Sequence, residues 1–342
     1  MTLLRQKRFW LGLLITGIFL YLVLRQIDTG ALVQAVLHAQ YIWLLPAFVV
    51  YIAGYLIRAI RWKFLLNAVK PLPWPRLLPP LILGFTVNNL LPARAGEFVG
   101  AYVVGKREGV SKTAAFATVV MQRVYDGLVM VLLAVVVLYF FRLPGSAAGA
   151  ESKFVDMVNF VIKATAAIFV LLFISLFAVI TWQEFFTGWF AKFNRRLPAA
   201  LRPKVEKLLG SFLEGLAVMR NRRDSLLAFL FSVLAWTGES AAYYFVMRAF
   251  GLVLPAYAAV MLMAVINLGI MVPSSPGYIG PFEFFGVGTL LLFGVAKSAS
   301  LPCILVIHAL VWLPITLWGF YYMWTLKLSL HEIKGPGAEK PA

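Results

Sequence analysis

Two polar, glycine- and proline-bearing stretches interrupt an otherwise oily chain, one in each half. The first runs from Asn88 and Asn89 through Pro92, Arg94 and Gly96 to Glu97. The second runs from Pro273, Ser274 and Ser275 through Pro276, Gly277, Gly280 and Pro281 to Glu283. Each lies between apolar arms too short to cross a bilayer comfortably. Irregular backbone at membrane depth survives only where protein buries it or where it lines a watery cavity. A pair of broken segments at corresponding places in two halves points to the central site of a transporter.

The rest of the chain agrees with a bilayer setting. It is 62% hydrophobic and 13% charged, with a mean hydropathy of +0.87, which is the composition of a polytopic membrane protein. A net charge of +17 would suggest nucleic acid as the partner of a soluble protein. Here cytoplasmic loops and anionic headgroups account for it, and no nucleic-acid partner is expected. Cys303 is the one cysteine and His38, His308 and His331 are scattered, so neither a disulfide nor a metal or cofactor site is expected. Arg5, Lys7 and Arg8 precede an apolar run slightly long for a signal peptide and without a clear cleavage site; an uncleaved first helix is the expectation.

A helix needs about 20 apolar residues to cross a bilayer. Full spans are predicted at 9–26, 41–65, 113–141, 158–181, 225–250 and 301–326, with shorter apolar stretches at 77–91, 98–105, 256–272 and 282–296. Segment 58–76 carries Arg58, Arg61, Lys63, Lys70 and Arg76 with no acid, and 182–224 carries nine basic residues against four acidic ones. This bias places the N-terminus, 66–76, 105–112, 182–224 and the C-terminal tail in the cytoplasm. Residues 77–105 then enter the membrane and return to the cytoplasmic side, while 256–296 enter from the opposite face. The prediction is an all-α polytopic membrane protein, an inverted-topology repeat with two re-entrant helical hairpins. Its parts are an N-terminal helix and linker (1–40), a first repeat (41–141), a helix followed by an interfacial segment (142–224), a second repeat (225–326) and a disordered tail (327–342). Eight or more ordinary helices joined by two tight loops is the plainer alternative. Val205, Leu208, Leu209, Phe212, Leu213 and Leu216 form one stripe, the mark of an amphipathic helix in the inner interface.

Charges at the bilayer centre are costly and normally face the protein interior. Arg123 and Asp126 share a helix face deep in one span, and Glu239 lies at similar depth in another. Arg94 and Glu97 occupy the first break and Glu283 follows the second. These six are expected to converge in one polar pocket. Arg94 and Arg123 would grip a phosphate bidentately, helped by free N–H groups of the helices that start after Pro92 and Pro281. Glu97, Asp126, Glu239 and Glu283 would hold the arginines or carry protons. Asn88, Asn89, Ser274 and Ser275 complete the pocket, and together with Asn267 their plainest task is to bond exposed backbone. Pro92, Pro273, Pro276 and Pro281 stop helices, and Gly96, Gly277 and Gly280 permit positive φ or close approach. Arg58 and Arg61, at the cytoplasmic end of a span, are expected to snorkel, as is Arg248 at the outer end.

The run from Asn89 to Glu97, the pair Arg123 and Asp126, and the run from Pro273 to Glu283 resemble the lysylphosphatidylglycerol synthase transmembrane family. These flippase-like proteins are related to the membrane domain of the multiple-peptide-resistance factor. The resemblance implies a multi-pass protein of a bacterial or archaeal cytoplasmic membrane that moves an anionic, glycosylated or prenyl lipid between leaflets. It also implies a lipid-modifying enzyme or glycosyltransferase as a partner. No aminoacyl-transferring domain follows the last span in this sequence, so synthase activity is not expected. A membrane-embedded lipid-modifying enzyme with Glu97 or Glu283 as base, and an accessory or scaffold subunit, stand as alternatives. Against the enzyme stands the lack of a nucleophile–histidine pair, a metal cluster or a cofactor loop.

Overall fold

The computed structural model describes residues 14, 17–22, 29–91, 95–140, 150–196, 198, 201–271 and 276–326, without the side chains of 150–153. Among these residues the chain is helical, with no strand. Five helices among the described residues are long and apolar enough to cross a membrane: Tyr41–Leu66, Lys112–Phe140, Phe154–Thr181, Arg222–Ala249 and Lys297–Thr325. They match five of the six predicted spans. The span at 9–26 and the tail at 327–342 lie largely or wholly outside the described residues.

In chain order the elements are α1 (Thr29–Leu37), α2 (Leu44–Leu66), α3 (Trp74–Leu90), α4 (Gly96–Glu108), α5 (Lys112–Phe140) and α6 (Ala150–Thr181). There follow α7 (Gln183–Asn194), α8 (Arg202–Leu216), α9 (Arg222–Ala249), α10 (Ala256–Gly269), α11 (Pro281–Leu292) and α12 (Lys297–Thr325). The sequence sets the helix ends by familiar means. Asn221 caps α9, its side chain accepting from the N–H groups of Arg223 and Asp224. Gly109, at φ 66°, ends α4 in the left-handed conformation. Leu91 is extended ahead of Pro92, as a residue before proline must be to avoid its ring.

Helices α3, α4, α10 and α11 have 17, 13, 14 and 12 residues, about 18–26 Å at 1.5 Å per residue, less than the roughly 30 Å of a hydrocarbon core. They pack in pairs, α3 with α4 and α10 with α11. Each pair starts and finishes at one end of the molecule. Just before α3, Lys70 Nζ donates to the Glu108 carbonyl at the end of α4 (2.6 Å). Tyr257, at the start of α10, has its ring 5.9 Å from that of Phe293, just past α11. The opposite ends of the two pairs meet in the interior, where the Trp312 indole N–H reaches the Asn89 carbonyl and lies against Gly277.

The long helices cross-connect these pairs. Helix α5 packs on α4 and also on α10, while α12 packs on α11 and also on α3; α2 and α9 lie along one another between them. Close approach demands small residues at the crossings. At the α3–α4 crossing a side chain on Gly96 would strike the Gly84 carbonyl and the Asn88 side chain. Helix α8, whose apolar stripe was expected to face the inner interface, turns part of that stripe to protein. Its Leu213 and Leu216 are buried, and its Gly215 sits against Ala114 and Ala117 of α5. The C-terminal half of its apolar stripe therefore faces protein, while Leu208 stays exposed.

Candidate functional site

A cavity of about 310 Å³ opens where the inner ends of α3, α4, α10 and α11 meet. Asn88 and Asn89 reach it from the end of α3, Glu97 from the start of α4, Asn267 from the end of α10, and Phe282 from the start of α11. The long helices add Tyr51, Tyr55 and Arg58 from α2, Arg123 and Asp126 from α5, Trp236, Glu239 and Tyr243 from α9, and His308 and Trp312 from α12. A helix that faced lipid all round could not carry these charges; gathering them around one space is what makes them tolerable.

Each charge has a partner on another element. Arg58 Nη2 donates to Glu239 Oε2 at 2.7 Å, with its guanidinium carbon 5.2 Å from the Tyr55 ring and 4.9 Å from the Trp236 ring. Cation–π contact with the two rings offsets part of the cost of burying that pair. Glu239 Oε1 also accepts from Tyr243 Oη (3.4 Å) and Asn267 Nδ2 (3.3 Å). Asp126 is held by Arg61, which also reaches Ser232 and Gln122, and by the Trp236 indole N–H at 2.8 Å. Arg123 Nε lies 3.0 Å from Glu97 Oε1, and its Nη1 lies 3.5 Å from Asp126 Oδ2. Three arginines thus stand in one connected set, but they differ in access. The Arg123 side chain is 29% exposed, against 3% for Arg58 and 1% for Arg61. Of these three, Arg123 alone is open enough to meet a ligand.

The asparagines close the ends of the short helices. Asn88 Oδ1 accepts from the Gly96 N–H at 2.8 Å, joining α3 to the first turn of α4. Asn89 Nδ2 donates to the Trp312 carbonyl (3.3 Å) and to Thr316 Oγ1 (3.1 Å), tying the same tip to α12. At the second tip, Gly277 and Gly280 take φ values of 76° and 98°, and Tyr278 takes 61°, a backbone path that glycine follows at little cost. Pro276 opens that turn and Pro281 opens α11. Glu283 Oε2 accepts the Gly280 N–H at 2.7 Å. The first N–H of α4 and the N–H preceding α11 are therefore taken by the protein's own side chains, not left free for an anion as expected from their sequence.

Of the residues singled out from the sequence, Glu97, Arg123, Asp126, Glu239, Asn88 and Asn89 line this one cavity. Glu283 stands just behind the wall, its Oε1 2.5 Å from His308 Nδ1. Arg94, Ser274, Ser275, Pro92 and Pro273 lie outside the described residues. Two expectations are corrected. Arg58 and Arg61 do not snorkel: they are 2% and 1% exposed, because α2 stays helical to Leu66 and turns both toward acids on α9 and α5. The main partner of Asp126 is accordingly Arg61 from another helix, and Arg123 turns chiefly to Glu97. Arg248 is partly exposed over the Trp43 ring, as a residue at a helix end can be. His308 was passed over as one of three scattered histidines. Its signal was the same as that of the other charges, an ionisable side chain well inside an apolar run. No group of three or more His, Cys, Asp or Glu suited to a metal occurs among the described residues.

Several proteins are similar to this chain in sequence. Over 299 residues the chain is 28% identical to a UPF0104 membrane protein of Methanothermobacter thermautotrophicus, covering 80% of this chain and 82% of that one. It is 23% identical over 336 residues to a UPF0104 membrane protein of Pyrococcus horikoshii, covering 92% and 97%. It is also 27% identical over 351 residues to glycosyltransferase AglD of Haloferax volcanii, matching 96% of this chain but 56% of that relative's length. The family described as the lysylphosphatidylglycerol synthase TM region matches residues 9–319. With that match extending from before the first described helix into α12, the chain belongs to the lysylphosphatidylglycerol synthase TM region family of multi-pass membrane proteins.

Proposed function

We propose that this protein is a flippase-like carrier that moves a phosphate-bearing lipid between leaflets, its headgroup passing through the central cavity while its chains remain in the bilayer. The observation that carries this reading is the convergence of α3, α4, α10 and α11 on a cavity where, among the described residues, Arg123 is the accessible arginine. Arg123 presents a planar fork suited to phosphate oxygens. Glu97 and Asp126 hold it in place and would exchange its contacts when a phosphate arrives.

The two short-helix pairs then act as re-entrant hairpins of an inverted repeat, α2 to α5 and α9 to α12. Rocking one hairpin against the other would open the cavity to each leaflet in turn. The contacts of α5 with α10 and of α12 with α3 support this, since they tie each half to the other half's hairpin. The lysine and arginine distribution supports a cytoplasmic membrane with both termini inside. The chemistry of phosphate and apolar chain fits an anionic or polyprenyl-phosphate lipid.

A second reading has one observation in its favour. A relative named a glycosyltransferase matches nearly all of this chain over 56% of its own length, leaving that relative room for a separate catalytic part. On that reading this chain is the membrane partner of a lipid-modifying enzyme. Leaflet-resolved lipid movement in vesicles that contain only this protein separates the two: a carrier moves lipid alone, and an accessory subunit does not.

A further inference from the structure

His308 stands on α12 with both ring nitrogens against oxygen. Its Nε2 lies 2.7 Å from the Gly277 carbonyl, and its Nδ1 lies 2.5 Å from Glu283 Oε1. The carbonyl can only accept, so Nε2 carries a hydrogen and donates it. A neutral imidazole has one N–H, so Nδ1 would then offer a lone pair toward a carboxylate. Two lone pairs cannot face each other at that distance. One further proton removes the conflict, either on Nδ1 as imidazolium facing carboxylate or on Glu283 as a carboxyl donating to Nδ1. The hydrogen-bond geometry therefore describes a pair holding one proton more than neutral histidine and ionised glutamate hold together.

The position gives that proton leverage. His308 and Phe282 stack with ring centres 4.2 Å apart. Glu283 Oε2 takes the Gly280 N–H, and His308 lies against the Gly277 carbonyl, so the pair clasps both ends of the Gly277–Gly280 turn that leads into α11. His308 borders the central cavity, which gives the proton a route to water. The other charges around that cavity are matched among themselves: Arg58 with Glu239, and Arg61 and Arg123 with Asp126 and Glu97. Tyr51 and Tyr55 on α2, Tyr243 on α9 and Tyr278 in the turn are the other titratable groups facing in.

The geometry points to Glu283 and His308 as the proton-binding site of a proton-coupled carrier, an inference that rests on the transport reading. The cycle balances in protons. With the proton bound the pair is neutral and the Gly277–Gly280 turn is clasped. Release of one proton through the cavity leaves one negative charge and an open clasp, and uptake from the other side restores both.

Glu283→Gln is the informative variant. Its amide oxygen can accept from Gly280 and its NH2 can donate to Nδ1, so it copies the protonated clasp and cannot release the proton. Wild type and variant are compared in two experiments: infrared difference spectra between acidic and alkaline buffer, and leaflet-resolved movement of a fluorescent anionic phospholipid under opposite imposed pH gradients. The expected result is a carboxyl or imidazole signal in the wild type that Glu283→Gln lacks. A several-fold ratio between the two gradient directions should fall to about one in the variant. Lipid movement in the wild type that ignores gradient direction would overturn the coupling and leave the carrier reading intact. If no lipid moves under any condition, the carrier reading fails, and the spectra alone decide proton binding. Identical spectra for wild type and variant would overturn it.

Discussion

Arg58 on α2 and Glu239 on α9, 181 positions apart in sequence, meet at 2.7 Å with both side chains almost wholly buried. This pair joins the two helices that lie along one another at the centre of the fold. Removing one partner leaves an uncompensated charge away from water, which costs about 3–5 kcal/mol. Glu239→Gln and Arg58→Ala should each lower the melting temperature in detergent clearly. Arg58→Met combined with Glu239→Leu should recover much of that loss, since two apolar groups need no partner. A double variant no more stable than the worse single one would show that the two side chains act independently.

Gly96 and Gly188 make a second contrast. A methyl group on Gly96 would strike the Gly84 carbonyl, whereas one on Gly188 meets nothing within 4 Å. Gly96→Ala should sharply reduce the yield of folded protein, because α3 and α4 can no longer approach. Gly188→Ala, on exposed α7, should be neutral or gain up to about 1 kcal/mol from helix propensity. Folded yield by size-exclusion chromatography checks both; equal yields would mean that the α3–α4 crossing tolerates separation.

The contact between Lys70 and Glu108 brings the chain just before α3 beside the end of α4, and the proposed re-entrant hairpin would put both on one face of the membrane. Single cysteines at 70 and 108, in a Cys303→Ser background, should react with an impermeant reagent from the same face of right-side-out or inverted vesicles. Labelling from opposite faces would contradict the re-entrant placement of 77–105.

Much of this was legible in the sequence because the bilayer makes certain signals expensive to disguise. Apolar runs of span length fixed five long helices, and the proline and glycine breaks marked the tips that meet near Asn89 and Gly277. Arg123, Asp126, Glu97 and Glu239 could be gathered into one site because none could face lipid. Arg58 and Arg61 were misread because they precede Lys63 near the end of an apolar run, where a snorkelling side chain looks identical. A charge count would have exposed them: Asp126 and Glu239 need cations at their own depth, and α2 supplies two on one face. The partner choice of Asp126 was not readable, since a local i, i+3 neighbour conceals a better one arriving from another helix. Asn88 was readable as a residue that bonds exposed backbone, as it does at Gly96, but the engagement of Glu283 with the start of α11 was hidden, because it depends on the path the turn takes.

In the proposed carrier, Arg123 receives a phosphate in the central cavity. The most direct test is leaflet-resolved lipid movement in vesicles containing this protein alone, comparing wild type with Arg123→Lys at matched melting temperature. Lysine keeps the charge beside Glu97 and Asp126 but loses the bidentate fork. The account predicts that the wild type moves an anionic phospholipid and that Arg123→Lys moves it at least about tenfold more slowly, a loss of roughly 1.4 kcal/mol in transition-state stabilisation. Undiminished movement by a stable Arg123→Lys protein would contradict it.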